Sequence, residues 1–217
     1  MNDHKKWEAV ERYINERLVG EDAALSEALV RSETAGLPAI AVSAAQGKQL
    51  YLTALAINAK RILEVGTLGA YSTIWMARAL PIDGELISLE IDPNHANVAR
   101  ANIAAAGIKP RVEVITGPAI QSLQTLQGPF DLTFIDADKP SNVDYFTHAL
   151  RLSRPGGVII VDNVVRGGAV TNAKGDASVQ GVRRLFDMIA NDSRVSATAI
   201  QTVGDKGYDG FLMAVVL

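Results

Sequence analysis

The sequence predicts a doubly wound α/β fold, and three observations carry that prediction. From Arg61 onward, short apolar runs alternate with helical patterns, as repeated βα units around a parallel sheet do. Two of those runs, Phe130 to Ile135 and Gly157 to Val161, are mostly apolar, as strands covered on both faces are. Both stop in polar residues: Asp136, Asp138 and Lys139 after the first, Asp162 and Asn163 after the second. Ligands of open α/β sheets bind at the carboxyl ends of strands, so chemistry is expected there.

The elements follow in order. Trp7, Val10, Ile14 and Leu18 recur at three- and four-residue spacing and form one apolar helical stripe, read as plain packing. Leu25, Ala28 and Leu29 predict a second helix, which Gly36-Leu37-Pro38 breaks. Ser43 caps a third helix carrying Leu50, Leu52, Ala54, Leu55 and Ile57. Residues 1–57 are thus a helical extension, and 58–217 an α/β core within one domain. In the core, strands are expected at Ile62 to Val65, Gly84 to Ile91, Arg111 to Thr116, Phe130 to Ile135 and Gly157 to Val161. Helices are expected at Ser72 to Leu80, Pro93 to Ala106, up to Leu126, Asn142 to Leu152 and Val179 to Ala190. Val195 to Thr202 and Phe211 to Leu217 read as a closing antiparallel pair. Val164 to Ser178, rich in Gly and Asn, is a long aperiodic loop of the kind that is functional or disordered.

Composition narrows the functional classes. The 217 residues include no cysteine, which excludes disulfides, thiolate metal sites and a cysteine nucleophile. That and a polar N-terminus without a secretory apolar segment fit a cytoplasmic protein. The formal charge of −3 favours neither nucleic acid nor an anionic membrane, and no apolar run is long enough to span one.

Adjacent strands ending in Asp136 and in Asp162-Asn163 would gather three hard oxygen ligands, a set suited to Mg²⁺ or Ca²⁺. The first strand ends in a glycine turn headed by Gly66 and Thr67, which admits a ligand to the backbone. Leu68 and Ala70 interrupt the spacing of a dinucleotide fingerprint. Glu64, Glu90 and Asp136 would repel a pyrophosphate and hold a ligand bearing an ammonium and a sulfonium. S-adenosylmethionine is that ligand, with Glu90 placed for its ribose hydroxyls. Asp92-Pro93 supplies the helix cap, which leaves Glu90 free.

At these residues a likeness emerges. ILEVGTLGAYSTIWMARAL, LISLEIDP, FDLTFIDADK, LRLSRPGGVIIVDNVV and VGDKGYDGF together resemble the cation-dependent O-methyltransferases, the caffeoyl-CoA and catechol group, and especially its small bacterial members. The resemblance runs from about Leu37 to the C-terminus, and its specific part is IDADK followed by VDN. It implies a Rossmann-like S-adenosylmethionine methyltransferase fold with an antiparallel C-terminal strand, and a homodimer. It implies Asp136, Asp162 and Asn163 as ligands of Mg²⁺, or of Mn²⁺ or Ca²⁺ in its place, and Lys139 as general base. It implies Glu64, Gly66, Ser72 and Glu90 beside the methionine and ribose, Val42 at the methionine end, Ala119 beside the adenine and Tyr145 near the acceptor. Ala70 departs from the glycine that many members carry before Tyr-Ser.

The expected reaction is methyl transfer to a phenolic oxygen of a vicinal diol, both of whose oxygens the cation binds, with Lys139 taking the proton. The competing reading of Lys139 is a surface lysine paired with Asp138. Tyr208-Asp209-Gly210 fits either the acceptor pocket or the turn of the final hairpin. The loop after Asn163 is expected to border an open, polar acceptor mouth. His4, His95 and His148 read as surface residues, and Arg183-Arg184 as a solvated helix face or a phosphate contact. Two alternatives remain: the same chemistry on a hydroxylated tRNA base, which the acidic balance disfavours, and a non-catalytic nucleotide-binding module.

Overall fold

The computed structural model describes residues 3–20 and 22–217. Seven strands form one sheet: β1 (Arg61–Val65), β2 (Glu85–Glu90), β3 (Arg111–Thr116), β4 (Phe130–Ile135), β5 (Ser153–Val161), β6 (Val195–Gly204) and β7 (Gly207–Val216). Their order is β3-β2-β1-β4-β5-β7-β6. The first five run parallel, and β7 joins β5 antiparallel with β6 outside it. The direction of strand order reverses between β1 and β4, the place where such sheets open a crevice.

Eight α-helices complete the described residues: α1 (Asp3–Ile14), α2 (Ala23–Thr34), α3 (Ala44–Ala56), α4 (Tyr71–Ala77), α5 (Pro93–Ala105), α6 (Ala119–Thr125), α7 (Asn142–Leu152) and α8 (Ala177–Ala190). Local chemistry starts several of them. Ser43 Oγ accepts from Gln46 N, and Asp92 Oδ1 accepts from Asn94 N and His95 N with Pro93 at the first turn.

Alternate residues of each strand feed opposite cores, as the two-residue period requires. Leu63, Ile135 and Ile159 pack with Leu123, Phe146 and Leu185 on one face. Ile62, Phe134 and Ile160 pack with Leu50, Ile74 and Met76 on the other. No described helix is long and apolar enough to cross a membrane.

Two expectations change here. The hairpin strands are longer than expected, so Tyr208, Asp209 and Gly210 lie within β7 rather than before it. The stripe on α1 and on the π-helical turn that follows it (Asn15–Val19) is not core packing. Val10 is 51% exposed, Ile14 38% and Leu18 74%, while the buried residue of α1 is Glu11.

One glycine sets the geometry of the crevice. Gly66 has φ 99°, and a Cβ there would stand 2.1 Å from the Asp136 carbonyl oxygen. The turn after β1 can lie against the tip of β4 only without a side chain. Gly66→Ala should lower unfolding stability by roughly 2–5 kcal/mol through strain and overpacking. Urea denaturation measures it, and a wild-type midpoint would contradict the close approach.

Candidate active site

The strand register brings the polar tips to one level. Asp136 N donates to Val65 O at 2.8 Å and Asp162 N to Ile135 O at 2.9 Å, which extends the parallel ladder by one residue on each strand. A cavity of about 630 Å³ opens over β1, β2 and β4. Val42, Gly66, Thr67, Ser72, Glu90, Ala119 and Asp136 all line it, so the structure gathers these sequence-predicted cofactor positions in one place.

Glu64 does not line it. Its carboxylate is fully buried beneath the cavity floor and accepts from Ser72 Oγ at 2.5 Å, Ser88 Oγ at 2.6 Å and the Thr73 hydroxyl. Burial pushes its pKa up to about 7; the three hydroxyls pull the other way, and the charge of Asp136 adds to the rise. Glu64, expected beside the methionine, therefore sits behind Ser72, which does line the cavity. The Ser72 proton goes to Glu64, so its remaining lone pairs are left for a donor on the cavity side.

Glu90 is not free either. It accepts from Thr67 N at 3.1 Å, Leu68 N at 2.8 Å and Asp92 N at 2.9 Å, and so shapes the turn as well as lining the cavity. Within the same turn Ala70 is left-handed, with φ 66°. A non-glycine residue there costs about 1–2 kcal/mol, which the packing of its methyl against Ala96, Ala99 and Val114 offsets.

A second cavity, of about 460 Å³, lies beside the first. Ile40, Ala41, Val42, Asp136 and Asn163 line both, and Asp162 lines the second. Asp136 and Asn163 thus stand at the shared wall, with Asp162 beside them on the second cavity's side. Asp162 is 4% exposed; burial, then the neighbouring charge of Asp136, pushes its pKa up to about 6. Gln46 of α3 lies against it and favours the charged form. Among the described residues no group of three or more His, Cys, Asp or Glu could hold a metal, so any site here must count the Asn163 amide.

Lys139 is buried, and its Nζ sits 2.8 Å from Asp136 Oδ1. The alternative of a surface lysine paired with Asp138 is corrected, because Asp138 instead accepts from the Tyr145 hydroxyl. Gly181 of α8 presses on this segment, since a Cβ there would stand 2.1 Å from Lys139 O. Tyr145 lines the first cavity and not the second. Tyr208 lines neither; its hydroxyl donates to Gln201 across the hairpin.

The loop after Asn163 does not border the second cavity. Residues Arg166–Thr171 form a 3₁₀ turn, Asp209 Oδ1 accepts from Val165 N at 3.0 Å and Arg166 N at 2.8 Å, and Val164 N donates to Gly210 O. Only Arg166 reaches a cavity, the first. Arg184 is exposed, as a solvated helix face requires, and bonds Pro140 O; the half-buried Arg183 bonds Val170 O and braces this region. The second cavity is walled by Trp7, Val10 and Ile14 of α1 and by the β6–β7 turn, which sequence reasoning missed. The stripe itself was readable; what it faced was not. His4, His95 and His148 line neither cavity.

The chain matches the model of a family described as O-methyltransferase over residues 16–212. It is 53% identical over 208 residues to a catechol O-methyltransferase of Mycobacterium tuberculosis, covering 95% of this chain and 94% of that one. The O-methyltransferase from Bacillus cereus solved in complex with SAH superposes with a TM-score of 0.96 at 52% identity, covering 99% and 100%. TomG from Streptomyces achromogenes, involved in tomaymycin synthesis and solved in complex with SAM, gives 0.96 at 51%, covering 100% and 99%. With a family match across most of its length and a relative sharing half its residues, the chain belongs to the O-methyltransferase family.

Proposed function

We propose that the protein transfers the methyl of S-adenosylmethionine to one hydroxyl of a catechol-type phenolic, with a divalent cation, Mg²⁺ or Mn²⁺, on Asp136, Asp162 and Asn163. The observation that carries this is the shared wall. A donor in the larger cavity and a phenolic ring in the smaller would meet where Asp136 and Asn163 line both. The SAM and SAH in the two solved relatives support the donor, and the name of the mycobacterial relative supports the acceptor class. Membership of an enzyme family removes the non-catalytic nucleotide-binding alternative.

The residues fit a hard cation. Two carboxylates and one amide oxygen are the donors such ions prefer, and they leave coordination positions for water and substrate. The raised pKa of Asp162 marks a carboxylate that lacks enough positive charge nearby. When bound, the cation would supply Lewis acidity and a template for two vicinal oxygens.

The chain's own residues do the rest. Ser72 presents oxygen lone pairs to the methionine ammonium. Glu90, held by three backbone amides, keeps one acceptor site on Oε1 for a ribose hydroxyl, with His95 Nδ1 3.6 Å from the same oxygen. Lys139 Nζ, oriented by Asp136, is the base that takes the phenol proton. The phenolic oxygen then bonds to the methyl carbon as the carbon–sulfur bond breaks. The electron pair stays on sulfur, and the sulfonium becomes a neutral thioether. Ile40, Ala41 and Val42 form the apolar part of the shared wall and limit water at the transfer point.

Methyl transfer to catechol, caffeic acid and the monophenol coumaric acid, with and without chelator, tests the proposal. Catechol and caffeic acid should be methylated only with the cation, and coumaric acid hardly at all. Equal rates for the monophenol would remove chelation of a vicinal diol as the basis of selection.

Lys139→Ala should lower turnover about 10²–10⁴-fold while leaving the affinity for S-adenosylmethionine near wild type. The loss should shrink as pH rises and the phenol ionises without help. A variant with wild-type turnover across the pH range would remove Lys139 from proton transfer.

A further inference from the structure

The helix α1 is built against the usual logic of an amphipathic helix. Its apolar residues are largely exposed, and its most buried side chain is a glutamate. A buried carboxylate is retained only where something satisfies it. Here Glu11 Oε2 accepts from Asp205 N at 2.6 Å, in the turn between β6 and β7. The neighbouring residue is Gly204, where a Cβ would stand 2.1 Å from that same oxygen. The turn therefore receives the carboxylate through a bare backbone position and one amide.

This contact fixes α1 across the mouth of the second cavity. Trp7, Val10 and Ile14, at successive helical turns, line that cavity opposite Asp136, Asp162 and Asn163. Trp7 is half-buried and supplies a large flat face of the kind that binds aromatic rings. No other tryptophan is available to the cavity: the second of the chain's two, Trp75, packs in the core beside Tyr51.

We propose that α1 is the acceptor-selecting wall, with Trp7 as the residue that carries the acceptor ring and Glu11 as the positioning residue that latches the wall to the β6–β7 turn. The inference rests on the second cavity being the acceptor site. It explains why an apolar stripe is left out of the core, and why Gly204 has no side chain.

The test combines acceptor kinetics with S-adenosylmethionine affinity by calorimetry, in the presence of Mg²⁺. Trp7→Ala should raise the KM for caffeic acid about 10–100-fold, the range of a lost aromatic anchor. Glu11→Ala and Gly204→Ala break the latch from its two sides, and each should raise that KM about tenfold, as the loss of a charged hydrogen bond implies. Glu11→Gln, which keeps an oxygen acceptor, should recover most of the loss. In all four, S-adenosylmethionine affinity should stay within about twofold, because the sites lie on different cavities. Acceptor binding to the SAH complex should quench tryptophan fluorescence in the wild type and not in Trp7→Phe. Unchanged KM in Trp7→Ala overturns the proposal. So does a KM that rises only together with lost S-adenosylmethionine affinity, since α1 would then merely prop the fold. Wild-type protein that binds S-adenosylmethionine yet methylates no catechol would sink the acceptor reading and this inference together; active wild type with indifferent variants would sink this inference alone.

Discussion

The structure depends on two carboxylates that the strand ladder forces together. Asp136 and Asp162 each follow the last residue of a parallel strand, and each backbone amide is tied to the next strand's terminal carbonyl. Neighbouring strands lie about 4.8 Å apart. The charge of Asp136 adds to burial in raising the pKa of Asp162, so the two resist being ionised together. Among the described residues, Lys139 is the cation bonded to the pair, through Asp136. Glu64 adds a third acid, buried beneath the same tips. Such a cluster is tolerable while protons or Lys139 share the charge, and the proposed divalent cation would relieve it further.

The surrounding chain serves to keep this arrangement in place. Gly66 admits the β1 turn against Asp136, and Gly181 admits α8 against the Lys139 segment. Three hydroxyls hold the Glu64 carboxylate, and three backbone amides hold Glu90. Each fixes a turn whose other face borders the larger cavity. Asp209 does the same for the segment after Asn163, accepting from two consecutive amides. The result is two cavities that touch only through Ile40, Ala41, Val42, Asp136 and Asn163. Under the proposed function, donor and acceptor would meet at these residues, where the two cavities share a wall.

Much of this was legible in the sequence because it is encoded locally. Apolar runs that stop in Asp136 and in Asp162-Asn163 mark strand ends, and the βα alternation makes those strands parallel neighbours. The cap at Asp92-Pro93 was equally local. What was not legible depended on partners far along the chain. Glu64 looked like a ligand contact because its position after an apolar run does not reveal Ser72, Thr73 and Ser88 closing over it. The Gly- and Asn-rich segment looked open because its anchors, Asp209 and Gly210, come far later in the chain, Asp209 lying 44 and 43 residues after Val165 and Arg166. The α1 stripe had a clear helical period, but no period tells a helix whether it faces a core or a cavity. Tyr145 and Tyr208 were expected near the acceptor; side-chain direction puts Tyr145 in the wall of the larger cavity and Tyr208 on the hairpin, bonded to Gln201.

The most direct test is a crystal structure of the protein grown with Mn²⁺, SAH and a catechol, read from the anomalous signal of the metal. A single peak is expected within about 2.2 Å of oxygens from Asp136, Asp162 and Asn163, with both catechol oxygens completing the shell and SAH in the larger cavity. A metal bound elsewhere, or a catechol whose oxygens do not reach that peak, would contradict the meeting of the two cavities at the carboxylate pair.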